Sequence, residues 1–110
     1  MRGPFISVVD VQITGPFLLD ESFIRRSLLQ NHGRVRACYE DGLVKNPKLF
    51  GHVKTRLTIE TSGNVSKAED AGSSLLDTAV VHCIVKAAPT FFPKASDVVT
   101  ITYTYSLRPE

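Results

Sequence analysis

Alternation of apolar and polar positions marks three stretches of the chain as strands. In "FISVVDVQI" it predicts Phe5, Val9, Val11 and Ile13 on one side and Asp10 and Gln12 on the other, ending at Gly15 and Pro16. "HVKTRLTIE" is the cleanest case, with Val53, Thr55, Leu57 and Ile59 facing one way and Lys54, Arg56, Thr58 and Glu60 the other. Such a pattern suits an antiparallel sheet covered on one face only. "DVVTITYTYSL" repeats it, with Val99, Ile101, Tyr103, Tyr105 and Leu107 apolar. A weaker strand, "VSKAEDAG", returns from the turn "TSGNV", where Gly63 and Asn64 can adopt positive φ.

Helical spacing fills the two gaps. Ile24, Leu28, Val35, Cys38 and Tyr39 share a face in the first, which Asp20 can cap and Asn46 and Pro47 terminate, with Gly33 a place for a break. Val80, Cys83, Ile84 and Ala87 form the stripe of the second, with Asp77 as its cap and Pro89 as its stop. The order is therefore strand, helix, strand, strand, helix, strand. This predicts an α+β domain with two helices on one face of a small antiparallel sheet.

Composition narrows the function classes. One domain is the simplest reading of 110 residues. Thirteen basic and eleven acidic residues leave a net charge of +2, too balanced for a dedicated nucleic-acid binder. Arg25, Arg26, Arg34 and Arg36 share their segment with Glu21, Glu40 and Asp41, which reads as a solvated helix face. No apolar run is long enough for a membrane span, and Asp10 and Gln12 interrupt any signal-peptide core. Met1 followed at once by strand-like sequence reads as a domain detached from a longer protein.

Catalytic and metal-binding arrangements find little support. His82 lies beside Cys83, but adjacent helical residues diverge, and His32 and His52 have no local ligand companions. Cys38 has no activating neighbour for nucleophilic chemistry. Asp10, Glu40, Asp41, Glu60, Glu69 and Asp70 form no acid/base pair by spacing, and no glycine-rich phosphate loop occurs. The expectation is a non-enzymatic domain with no cofactor and no metal. By residue chemistry alone, Cys38 and Cys83 are either two buried thiols or a disulfide between the helices.

The pieces "VRACYEDGLVKNPKLFGHVKTRLTIETSGNV", "SSLLDTAVVHCIVKA", "FFP" and "VTITYTYSLRP" together resemble the C-terminal domain of TonB-type energy transducers. They are closer still to the AgmX/PglI branch of bacterial gliding-motility envelope proteins. The likeness covers roughly residues 20–109 and leaves the first strand outside, so residues 1–19 read as an N-terminal strand and connection and 20–110 as the TonB-like domain. Where the family has an aromatic-rich segment with tryptophan, this chain has "PTFFP".

The resemblance implies a periplasmic αββαβ module of a membrane-anchored, envelope-spanning protein in gliding motility or energy transduction. It implies pairing of Cys38 with Cys83, and a last strand beside the first strand of the hairpin. The extra N-terminal strand then lies on the open side of the last strand or, in a ferredoxin-like arrangement, at the centre of the sheet. If the last strand is an edge, Val98, Thr100, Thr102, Thr104 and Ser106 are the candidate residues for pairing with another envelope protein by strand addition. The alternative is a structural or self-assembling module, monomeric or a homodimer, whose edge is covered by residues 5–14 of its own or a neighbouring chain.

Overall fold

A computed structural model describes residues 4–15, 21–90, 92 and 96–109. Its elements are β1 (Phe5–Thr14), α1 (Glu21–Gln30), α2 (His32–Lys45), β2 (Gly51–Ile59), β3 (Val65–Asp70), α3 (Thr78–Lys86) and β4 (Val99–Arg108). The expected capping role of Asp20 and the residues Phe91 and Pro93 of "FFP" lie outside the described residues. Four strands form one antiparallel sheet in the order β1-β4-β2-β3. The N-terminal strand thus takes the outer position beside β4, and the ferredoxin-like alternative is excluded.

Strand alternation translates directly into burial in the central pair. Val53, Thr55, Leu57 and Ile59 of β2, with Val99, Ile101, Tyr103, Tyr105 and Leu107 of β4, are all buried. The helices cover this face with Ile24, Leu28, Val35, Tyr39, Val80, Val81, Ile84 and Val85. Gly42 allows α2 to approach α3: a β-carbon there would lie 2.5 Å from Val80 and 2.8 Å from Leu49. Tyr39 donates its hydroxyl hydrogen bond to the Leu49 carbonyl, tying α2 to the segment that enters β2. Gly63 makes the hairpin turn with φ of 92°, whereas Asn64 keeps negative φ.

Two expectations are corrected. The alternation read for β1 places Phe5 and Val9 inward, yet both are more than half exposed, and Ile6, Val8, Val11 and Ile13 pack on the core. The cause is a β-bulge. Val8 pairs with Tyr105 and Asp10 with Thr104, so Val9 is an extra residue that reverses which parity faces inward.

The first helical segment is also two helices, making three among the described residues. The break falls at Asn31, not Gly33, which lies inside α2. The Asn31 side-chain Nδ2 donates to the Ala87 carbonyl at 3.0 Å, a contact between residues 56 apart that local spacing does not reveal. By contrast, the Asp77 cap forms as read, accepting from the amides of Ala79 and Val80 at 3.0 and 3.1 Å.

Candidate functional site

Cys38 and Cys83 form a disulfide, with S–S 2.05 Å and Cα–Cα 5.7 Å, joining α2 to α3. Cys38 is buried but Cys83 is exposed, so the bond sits at the rim of the core and not beneath it. The stripe Val80, Ile84 and Ala87 is inward as read; Val81 and Val85 complete it in place of Cys83. Both thiols are consumed by the bond, which removes them from any nucleophilic role.

The candidate strand edge is not open. β4 pairs with β1 along nine residue pairs on one side and with β2 along nine on the other. Thr100, Thr102, Thr104 and Ser106 therefore lie mid-sheet, with ladder partners on both flanks, and the reading of them as a free edge is corrected. Val98 precedes the strand. An isolated β4 alternation is the same at a centre and at an edge, because it reports faces and not neighbours.

These four hydroxyl residues instead run down the middle of the sheet face that the helices leave uncovered. Cross-strand rows place Ser7 and His52 beside Ser106, and Asp10 and Lys54 beside Thr104. Gln12 and Arg56 flank Thr102, with Glu69 beyond Arg56; Thr14 and Thr58 flank Thr100, with Lys67 beyond Thr58. Glu69 lies 3.8 Å from Arg56 and 3.7 Å from Lys67. The result is a polar, mixed-charge face. Exposed ion pairs of this kind contribute little to stability.

The true edges are β1 and β3. On β1, Arg25 of α1 donates to the Val8 carbonyl at 3.1 Å and pairs with Glu21 at 3.0 Å. A shallow groove of about 260 Å³ lies there, lined by Ile6, Val8, Leu28, Leu29, His32 and Tyr105 among others. Beside β3 lies a larger groove of about 450 Å³, between the strand and α3, lined by Ala68, Leu75, Val81, Val85, His82 and Lys86 among others. Sequence reasoning missed it. The weak apolar pattern of β3, with Ala68 the only apolar residue after Val65, was the available sign of a strand that its helix does not fully cover.

Buried tyrosines dominate the electrostatics. Burial pushes Tyr105 up to about 12, and raises Tyr103 further, with Tyr105 beside it adding to the effect. The two rings meet edge to face at 5.6 Å. Thr55, the register partner of Tyr103, slightly offsets that rise, but neither hydroxyl completes a hydrogen bond of good geometry among the described residues. Tyr39 is also raised by burial. Asp70 is lowered by hydrogen bonds from Ser73 and Gly72, which fix the turn after β3. Tyr39 and Tyr103 serve the core; Tyr105 also lines the groove beside β1, and Asp70 the groove beside β3.

Among the described residues no group of three or more His, Cys, Asp or Glu side chains converges as a metal site. No helix among them is long and apolar enough to cross a membrane. No family model matches the chain, and no curated protein does. Among solved structures, the chain is similar to the TonB C-terminal domain of Helicobacter pylori (residues 179–285, in solution). Identity is 18%, the TM-score is 0.50, and the match covers 74% of this chain and 82% of the other. The fold is α+β and TonB C-terminal-like.

Proposed function

We propose that this chain is a non-enzymatic protein–protein interaction domain of a TonB-like envelope protein, working in the periplasm and engaging another envelope protein by adding a strand to its sheet. The observation that carries this reading is an antiparallel sheet with an outer strand, β3, beside a groove of mixed apolar and polar lining. The disulfide between α2 and α3 supports an oxidising compartment. The sequence resemblance to the AgmX/PglI branch supports a membrane-anchored parent protein in gliding motility or in energy or force transduction. In this reading the domain binds another envelope protein, with no cofactor and no nucleic acid.

Photo-crosslinking in cells tests the proposal, with the reactive residue placed in turn at Lys67 on β3, Thr104 on the open face and Arg34 on the helices. Crosslinks to another envelope protein from Lys67 are expected. Crosslinks confined to Arg34 would remove the sheet from the interaction and overturn the reading.

A second reading is favoured by the position of β1. It already occupies the edge of β4 that a partner strand would otherwise take. In this version the domain is a self-assembling module, and the same edge accepts β1 from its own chain or from a neighbour, giving a homodimer. Light scattering with and without residues 1–14 decides it. An unchanged mass in both proteins at high concentration sinks the homotypic version.

A further inference from the structure

The disulfide joins two sulfurs with unlike surroundings. Cys38 of α2 is only 6% exposed and belongs to the core cluster, whereas Cys83 of α3 is exposed. The difference follows from where each residue sits on its helix. Val80, Val81, Ile84 and Val85 turn the apolar stripe of α3 onto the core, which leaves Cys83 at the margin of that stripe. Ala79, one turn before Cys83 and itself exposed, is too small to shade it. Both cysteines line a shallow groove of about 180 Å³ between α2 and α3.

A disulfide sulfur is the electrophile in thiol–disulfide exchange, and access decides which of the two sulfurs an incoming thiolate attacks. At Cys38 the approach is blocked by the core. At Cys83 it is clear from the solvent side. Charge does not overrule access here: Asp41 and Asp77 line the groove together with Lys45, so an anionic nucleophile meets both signs. Asp77 is further occupied by the amides of Ala79 and Val80. A bond at the rim of a helix pair, in a groove this shallow, also admits a nucleophile carried on a protein surface, which an enclosed bond would not.

We propose that Cys83 is a thiol–disulfide exchange site for a dithiol partner protein of the Cys-x-x-Cys kind. The first thiolate of the partner attacks the Cys83 Sγ. A new S–S bond forms, the Cys83–Cys38 bond breaks, and its electron pair leaves on the Cys38 sulfur, which takes a proton from water. The partner's second thiolate then attacks its own first sulfur, and Cys83 departs and is protonated. Two electrons have passed from the partner, now a disulfide, to the domain, now a pair of thiols. An oxidised partner re-forms the bond by the reverse steps. Opening the bond releases α3 from α2 while the pairing of β1 with β4 is untouched. This exchange is independent of where a partner strand adds to the sheet.

The test uses the oxidised, folded domain and a thioredoxin-type protein whose second active-site cysteine is serine, so that the reaction stops at the mixed disulfide. Acid quenching and peptide mass spectrometry locate the new bond. Attachment at Cys83 is expected, at least about tenfold over Cys38, with the Cys38 thiol alkylated after denaturation. The rate should not change in denaturant too weak to unfold the domain. Attachment at Cys38, exchange with small thiols such as cysteamine but not with the protein, or a rate that follows global unfolding would each overturn the site. Single variants supply a second measurement. With Cys38→Ser, Cys83 is expected to react with an aromatic disulfide reagent at the rate of an exposed thiol. With Cys83→Ser, Cys38 is expected to react about a hundredfold more slowly. Equal rates would also overturn the site.

Discussion

β1 and β3 bound the same sheet but are held there in different ways. β3 follows β2 through a tight turn at Gly63, so its place is set by a few residues of chain and it pairs over only a short stretch. β1 arrives from the N-terminus and pairs with the last strand, so nothing local directs it to β4. It is held by length, with nine pairs, by four half-buried apolar side chains, and by the Arg25 contact to Val8. One edge is thus closed by a strand that must be won through tertiary packing. The other is secured by local chain geometry and keeps an open side.

Four measurements would break or sharpen that contrast. Deleting residues 4–14 has the largest expected effect, about 4 kcal/mol of lost stability from the apolar burial of Ile6, Val8, Val11 and Ile13. Denaturant melts measure this directly. The deletion also uncovers β4, and light scattering should then show association. A monomer with unchanged stability would mean that β1 is a loose passenger.

Removing the disulfide with Cys38→Ser and Cys83→Ser comes next. The bond closes a loop with a sequence separation of 45, and loop entropy sets an upper value of about 4 kcal/mol. Because the bond anchors α3, hydrogen exchange should rise first in α3 and β3, with β1 less affected. Uniform acceleration across both edges would deny that the disulfide specifically supports the β3 side.

Alkaline titration probes the strand beneath β1. Tyr105 is the register partner of Val8, and its folded-state value is raised to about 12 from an ordinary 10.0. A raised value means the neutral ring is favoured by folding. The stability it contributes is fully present below pH 10 and is lost as pH rises toward 12, by about 2 kcal/mol. Tyr103, raised further, extends the loss upward. Ultraviolet titration of tyrosinate alongside denaturant melts checks the coupling. In the chain lacking β1, the Tyr105 transition should move back toward 10.

The smallest effect separates neighbours in the bulge. Val8→Ser should cost about 1 kcal/mol, and Val9→Ser under about 0.5 kcal/mol, because only Val8 packs inward. Equal costs would place the register shift elsewhere.

The bulge also shows how far reading the sequence can go. Apolar alternation in "FISVVDVQI" was enough to find the strand, but parity across Val9 is a property of pairing with β4, and a one-residue insertion reverses it. The helix break is similar. Gly33 was the visible candidate, whereas Asn31 is chosen by a hydrogen bond to Ala87 from a distant helix. The candidate partner residues fared the same way: Thr100, Thr102, Thr104 and Ser106 share a face as read, but β1 closes the edge they were expected to offer.

Local chemistry was sufficient wherever the signal repeats within a few residues. By itself the sequence determined the strand and helix types, the inward faces of β2 and β4, the Asp77 cap and the turn at Gly63. These follow from side-chain periodicity and backbone preference, which are carried along the chain. Tertiary structure alone decided strand order, the bulge at Val9, the rim position of Cys83 and the groove beside β3. Each depends on which distant residues meet, and the apolar pattern states which side of an element is buried without naming what buries it.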